Sequence, residues 1–262
     1  MKTYNELKLA QELIRFPTVK TEDKGIIKFL SKKLSSIGFK CIVIKSKGTG
    51  IKPALNLYAK FGNSKPHINF LGHTDVVANL SNWKIPPFKG VIKKGYLNGR
   101  GSQDMKGGIA CFISAISNFI KNEKFQGSIS IIIAADEETT GLGTPAIIKY
   151  LKRRAEKIDF SIIAEPSSNK SIGDEIRIGR RGSMNGIITV NGKSGHSAFY
   201  GSYINPCTAL AKIITKMKST SLDTGTKFMP QSNLEFTKIN VENLSENVVP
   251  QSVSAKFNVR FN

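Results

Sequence analysis

GHTDVV (72–77) opens the stretch of sequence that decides the fold of this chain. The other motifs of that stretch are GRGSQDMKGG (99–108), ADEET (135–139) and IIAEPSS (162–168). Each of these four motifs follows an apolar or turn-like segment and places an acid or a histidine where a strand is expected to end. In open α/β sheets, functional sites gather at the carboxyl ends of the strands. One candidate metal ligand comes from each motif, and the four are His73, Asp104, Glu138 and Glu165.

Each motif taken alone also has an ordinary structural explanation. His73 can be a structural histidine, Asp104 can cap the helix that follows it, and Glu137 and Glu138 can be solvated acids. Asp75 strengthens the metal interpretation, because a ligating imidazole usually donates its second N–H to a carboxylate. Together the motifs favour a hydrolase site with two metal ions, in which Glu137 is a candidate general base.

Composition indicates a globular protein rather than a nucleic-acid or membrane protein. The 262 residues carry a formal net charge of +20, but the lysines are scattered and form no block typical of a nucleic-acid arm. No apolar run is long enough to cross a membrane. The cysteines, Cys41, Cys111 and Cys207, are few and widely spaced, which favours reduced thiols and a cytoplasmic location.

Helical and strand patterns alternate through the first part of the chain. Three apolar runs, residues 67–71, 129–135 and 160–164, are typical of strands buried on both faces. Helices are predicted between them, at residues 105–120 and 144–152, after two N-terminal helices and the strands 41–44 and 54–61. This alternation predicts an α/β sheet with a ligand at the end of each buried strand.

The pattern changes after Gly182. Strands are predicted at residues 184–190, 234–240 and 253–261, with a helix at residues 206–218 between the first two. This β-α-β-β order indicates a separate α+β domain. The sequence thus predicts two domains, residues 1–179 and 180–262.

The four motifs resemble those of the aminoacylase-like family of dinuclear zinc amidohydrolases, and the resemblance extends over essentially the whole chain. It implies a zinc-hydrolase-type α/β catalytic domain, with a mixed sheet flanked by helices, and a smaller α+β domain that forms a homodimer. Two Zn²⁺ ions per subunit are expected, with Co²⁺ as an alternative. The segments GRRGS (179–183), GHSAF (195–199), ENVVP (246–250) and NVRF (258–261) are most similar to members that hydrolyse N-succinyl-LL-2,6-diaminopimelate.

The resemblance also implies a role for each candidate residue. His73 and Glu165 would bind one zinc ion and Glu138 the other, and Asp104 would bridge them across a cis peptide to Met105. Glu137 would be the general base, and Asp75 would orient His73. Contacts to a small anionic substrate would come from five residues of the second domain, His196 acting from the partner subunit: Arg180, Ser183, His196, Asn247 and Arg260.

Three departures from the family pattern are visible. Phe199 replaces a usual tyrosine, and Glu246 replaces a common asparagine. The family continues after the NVRF strand and supplies a final histidine for the second zinc ion there. From this we expect an incomplete chain with a weaker second metal site, poor solubility and little or no amidase activity of its own. Three alternatives stay open: another N-acyl amino-acid deacylase, such as one acting on acetylornithine, a dipeptidase, or an inactive remnant that only dimerises or binds an anion.

Overall fold

The computed structural model describes residues 2–47, 53–78, 83–241 and 245–262 and divides the chain into two compact units, Met1–Ser168 and Asn169–Asn262. The predicted boundary, between residues 179 and 180, lies slightly farther along the chain. The assignment of one part to catalysis and the other to dimerisation stays a prediction.

The first unit contains helices and strands in alternation, as predicted. Its helices are α1 (Glu6–Ile14), α2 (Ile26–Ser35), α3 (Lys106–Asn122) and α4 (Gly143–Arg153). Its strands are β1 (Lys40–Ser46), β2 (Ala54–Phe61), β3 (His67–His73), β4 (Val91–Lys93), β5 (Tyr96–Asn98), β6 (Ser128–Ala134) and β7 (Phe160–Ile163).

A mixed five-stranded sheet forms the centre of this unit, in the order β1-β2-β6-β3-β7. β3 runs parallel to β6 and β7, whereas β2 runs antiparallel to β1 and β6. The carboxyl ends of β3, β6 and β7 therefore meet at one edge of the sheet. The predicted mixed α/β sheet is confirmed, and the motifs that follow these three strands share that edge.

Both faces of the sheet are covered at its centre, which explains why the central strands are mostly apolar. On β2, Leu57 and Ala59 pack into a core with α1, α2 and α3. Tyr58 points to the other face and packs against Ile147 of α4. Because side chains alternate between faces along a strand, a strand covered on both sides has no face that must be polar to suit solvent.

β7 is the exception, because the prediction that it is buried was wrong. Phe160, Ile162 and Ile163 are 64%, 51% and 55% exposed. In the described part of the chain β7 is an edge strand that pairs only with β3. An apolar run indicates a strand suited to a buried position, but burial itself depends on what packs against that strand.

The second unit has the predicted β-α-β-β order with two additional short strands. Its elements are β8 (Gly182–Asn191), β9 (Gly195–His196), α5 (Pro206–Ser219), β10 (Asn233–Asn240), β11 (Val248–Val249) and β12 (Ser252–Phe261). β12 lies between β10 and β8 in an antiparallel sheet. Leu210 of α5 packs on Val253 and Ala255 of that sheet. Among the described residues, no helix has the length and apolar character needed to cross a membrane.

Candidate active site and metal centre

Three of the four predicted metal ligands converge at the carboxyl edge of the first sheet. His73 is the last residue of β3, Asp104 lies just before α3, and Glu165 follows β7. One ligand atom from each lies within 4.8 Å of the others, and theirs is the one such group of histidine, cysteine and acid side chains among the described residues. His73 Nε2 lies 2.9 Å from Asp104 Oδ1 and 3.4 Å from Glu165 Oε1.

The glycine-rich loop before α3 gives Asp104 its direction. The Lys106 N–H donates to the carbonyl of Gly101 (2.9 Å), and the Asp104–Met105 peptide is cis, as predicted. A Cβ on Gly107 would come within 2.2 Å of the Ser102 carbonyl oxygen, so this close turn requires glycine. The N-cap of α3 is Met105 and has no side-chain cap, so Asp104 does not cap the helix.

The environment of His73 suits a cation. Its Nδ1 lies 3.1 Å from the carbonyl oxygen of Asp75 and 3.5 Å from that residue's carboxylate, which leaves Nε2 facing the two ligand acids. Burial lowers the pKa of His73, but the hydrogen bond and charge of Asp75, with the charges of Glu165 and Glu137, outweigh burial and raise the pKa to about 9. The imidazole of His73 and the carboxylates of Asp104 and Glu165 face one another and form a donor set that fits a divalent metal ion.

Asp75 also contacts the loop that carries the paired acids. Its side chain is 1% exposed, and its carboxylate accepts hydrogen bonds from the backbone N–H groups of Glu137 (3.1 Å) and Glu138 (2.9 Å). A buried carboxylate without such donors would be costly, so these bonds stabilise its charge. Asp75 thus connects the histidine loop to the loop that carries the paired acids.

Glu137 is exposed and Glu138 is half-buried beside the group of three. Burial raises the pKa of Glu138, and the charge of Asp104 raises it further. Glu138 is not a member of the group within 4.8 Å, so its role as a ligand for a second metal stays a prediction. The neighbouring Asp136 is buried and accepts from the Leu142 and Gly143 N–H groups at the start of α4, which is a structural role.

The second unit brings two pairs of the predicted substrate-binding residues together. The backbone N–H of Ala198 donates to His196 Nδ1 (3.1 Å). His196 Nε2 lies 3.1 Å from the side-chain amide of Asn247. Ser183 lies opposite Arg260 on the paired strands β8 and β12.

The other positions of that unit carry less structural support. Arg180 is exposed just before β8. Phe199 is 66% exposed, and its ring lies 5.5 Å from that of His196. Glu246 is exposed. The substrate-binding assignments therefore remain predictions.

Several residues near the metal group were missed by the sequence reasoning. A cleft of about 360 Å³ adjoins Asp104 and Glu138, and the Arg100 guanidinium lies 5.1 Å from the centre of the Trp83 ring that lines it. Lys106 is fully buried, and Thr18 is 2% exposed. Burial lowers the pKa of Lys106 to about 7, against the opposing effect of the Asp75 charge. A lysine inside the glycine-rich turn GRGSQDMKGG was the one available signal.

Comparison with known proteins gives consistent matches. The family model described as peptidase family M20/M25/M40 matches residues 70–259. A succinyl-diaminopimelate desuccinylase of Pelagibacter ubique is 47% identical over 266 residues, covering all of this chain and 69% of that protein. One from Ehrlichia canis is 43% identical over 98% of this chain and 68% of its own length. The chain thus spans about two thirds of the length of these curated relatives.

Solved structures share the fold at low sequence identity. An M20 family metallo-carboxypeptidase from Sulfolobus solfataricus superimposes with a TM-score of 0.76, covering 99% of this chain and 71% of that one, at 19% identity.

Proposed function

Because the chain belongs to peptidase family M20/M25/M40, we propose that it is a metal-dependent amide hydrolase that cleaves N-succinyl-LL-2,6-diaminopimelate to succinate and LL-2,6-diaminopimelate. The convergence of His73, Asp104 and Glu165 on one point carries the proposal of metal-dependent hydrolysis. The succinylated substrate rests on the identity to the named desuccinylases over the whole length of this chain.

The proposed metal is zinc, with cobalt as an alternative, held by the three converging side chains; Glu138 is the protein ligand proposed for a second ion. A metal ion at this position supplies Lewis acidity toward the amide carbonyl and the attacking water. The donor set is already arranged, since the imidazole is oriented through Nδ1 and the two acids face Nε2.

The protein's own residues account for proton transfer in this proposal. Glu137 accepts a proton from the attacking water and later gives it to the leaving amine, which keeps the proton balance of amide hydrolysis. Asp75 supports this role, because its carboxylate holds the Glu137 N–H. His196 stabilises the oxygen that becomes negative, acting from the partner subunit of a proposed homodimer.

The substrate contributes several carboxylates, and the proposed contacts match them. Arg180 and Arg260 offer guanidinium groups, which bind carboxylates in a bidentate fork, and Ser183 and Asn247 add neutral donors. The cross-strand pairing of Ser183 with Arg260 supports a shared contact. The proposed location is the cytoplasm.

Steady-state hydrolysis separates the proposal from its rivals. The complete gene product, purified and loaded with Zn²⁺, is incubated with N-succinyl-LL-2,6-diaminopimelate, N-acetylornithine and a dipeptide in parallel, and the released acyl group or amine is quantified. We expect succinate release at a kcat/KM well above that for the other two substrates. Faster release of acetate or amino acid would contradict the substrate assignment. Zinc near zero by elemental analysis, with no hydrolysis, would contradict the enzyme assignment.

A further inference from the structure

The segment of residues 16–20, between α1 and α2, lies directly against the loop that carries His73 and Asp75. Thr18 Oγ1 donates to the carbonyl oxygen of Thr74 (2.5 Å), and the Val76 N–H donates to the Thr18 carbonyl (3.0 Å). The Lys20 N–H donates in turn to the Val76 carbonyl (3.3 Å), and Val19 and Val76 form a parallel bridge. We call residues 16–20 the strap.

We propose that the strap is a positioning element of the metal site and that the Thr18 hydroxyl is its principal anchor on the ligand loop. The strap holds Thr74 and Val76, the residues on either side of Asp75. With both neighbours fixed, the Asp75 side chain is directed toward His73 and toward the backbone N–H groups of Glu137 and Glu138. Thr18 bonds to the backbone of Thr74 and Val76, on either side of Asp75, so it acts through the loop.

The contacts are too well buried to be incidental. Thr18 and Thr74 are 2% and 1% exposed, and Val76 is 1% exposed. A buried hydroxyl that makes no hydrogen bond costs free energy, and so does a buried carbonyl that loses its donor. The bond between Thr18 and Thr74 therefore holds one arrangement of the loop.

The other end of the strap is held from the second ligand loop. Lys106, fully buried at the start of α3, donates from Nζ to the carbonyl oxygen of Phe16 (2.8 Å). Lys106 is two residues after Asp104, so the strap connects the loop of the histidine ligand with the loop of the aspartate ligand. Removing a residue that orients metal ligands without binding the metal typically weakens metal binding by about 10–100-fold.

Cobalt(II) binding to the full chain tests this inference, because the visible spectrum of bound Co²⁺ reports ligand geometry. Thr18→Val removes the hydroxyl at nearly constant shape, whereas Thr18→Ser keeps the hydroxyl and removes only the methyl group. We expect Thr18→Val to weaken Co²⁺ binding by about tenfold and to change the cobalt absorption bands. Thr18→Ser should return both toward those of the unmodified chain.

Ser117→Ala is the matched control. Ser117 is fully buried, and its hydroxyl donates to the Ser114 carbonyl (2.8 Å), but it lies eleven residues beyond Lys106 on α3, about 16 Å along the helix. We expect a comparable loss of thermal stability without a change in cobalt affinity or spectrum. Equal effects of Thr18→Val and Ser117→Ala on cobalt binding would overturn the inference, as would a Thr18→Val chain that does not fold.

The inference rests on the proposed metal site, and the two fail differently. If the unmodified chain takes up no Co²⁺, the metal site itself is wrong. If it binds Co²⁺ and Thr18→Val binds it with the same affinity and spectrum, the metal site stands and the strap has no positioning role.

Discussion

At the scale of single residues, the roles proposed for Glu137 and Glu138 differ because adjacent side chains point in different directions. The Asp75 carboxylate accepts hydrogen bonds from both of their backbone N–H groups, so the backbone that carries the two glutamate side chains is held in place. Glu137 is exposed and Glu138 is half-buried, which suits a proton carrier and a ligand respectively.

Replacing Glu137 with glutamine in the complete enzyme tests this difference in roles. We expect Glu137→Gln to retain its metal content and to lose about 10²–10⁴-fold in kcat, because the amide cannot accept the proton. Metal content is measured by elemental analysis and kcat by succinate release. Glu138→Gln is the matched variant and should lose metal as well as turnover. A Glu137→Gln enzyme with nearly normal kcat would show that the roles of the two acids are misassigned.

The raised pKa of His73 predicts a pH-dependent stability of the metal-free chain. The folded chain binds this proton up to about pH 9, whereas an unfolded histidine titrates near 6.5. The stabilisation is therefore complete below about pH 6.5 and is lost as the pH rises through about 9. The shift corresponds to a free energy on the order of 3 kcal/mol.

Urea unfolding in the presence of a chelator measures this effect. The stability advantage of the unmodified chain over His73→Gln should be larger at pH 6 than at pH 9.5, because His73 loses its proton between these pH values and glutamine has none to lose. Taking the difference between the two proteins cancels the titration of all other groups. An equal advantage at both pH values would mean that His73 is not protonated in the metal-free state.

At the scale of elements, the start of α3 lies against the residue that precedes Glu165. A Cβ on Gly108 would come within 2.7 Å of the Ala164 Cβ and 2.9 Å of its carbonyl oxygen. The close approach of this helix to the end of β7 thus brings the Asp104 and Glu165 ligands together, and it requires glycine at this position.

Gly108→Ala should therefore act on both stability and metal binding. Overpacking of this kind costs about 1–3 kcal/mol, and the displaced segment carries Glu165, so Zn²⁺ affinity should fall as well. Gly179→Ala is the control, since its Cβ would meet only the flexible end of Met229 at 3.1 Å. Both variants are measured by thermal unfolding and zinc titration. Unchanged zinc affinity in Gly108→Ala would show that α3 does not set the position of Glu165.

At the scale of the whole molecule, the chain consists of two units with separate hydrophobic cores. The three converging candidate ligands all lie in the unit Met1–Ser168. Because a ligand that binds only the folded state stabilises by mass action, zinc should stabilise the first unit directly.

Hydrogen exchange resolves this effect by region. Zn²⁺ at about 100 times its Kd should add about 2.7 kcal/mol of protection to the amides of β3 and β6. The amides of β8 and β12 should change little, and they serve as the internal control. Uniform protection across both units would show that they unfold as one cooperative body.

The sequence by itself determined the fold class, the order of elements and the candidate ligands. These depend on local patterns: apolar runs, turn glycines, and acids or a histidine at strand ends such as His73 and Glu165. Topology then makes the carboxyl ends of parallel strands meet, so the proximity of His73 and Glu165 could be predicted without coordinates.

Only the tertiary structure decided which groups touch across long separations. The Thr18–Thr74 bond, the two N–H groups held by Asp75, and the exposure of β7 depend on strand register and on what covers each face. Asp136, next to Glu137 in sequence, faces the start of α4 and is structural. The physical reason is that periodicity specifies which face of an element is apolar, whereas its partner is specified by packing in three dimensions.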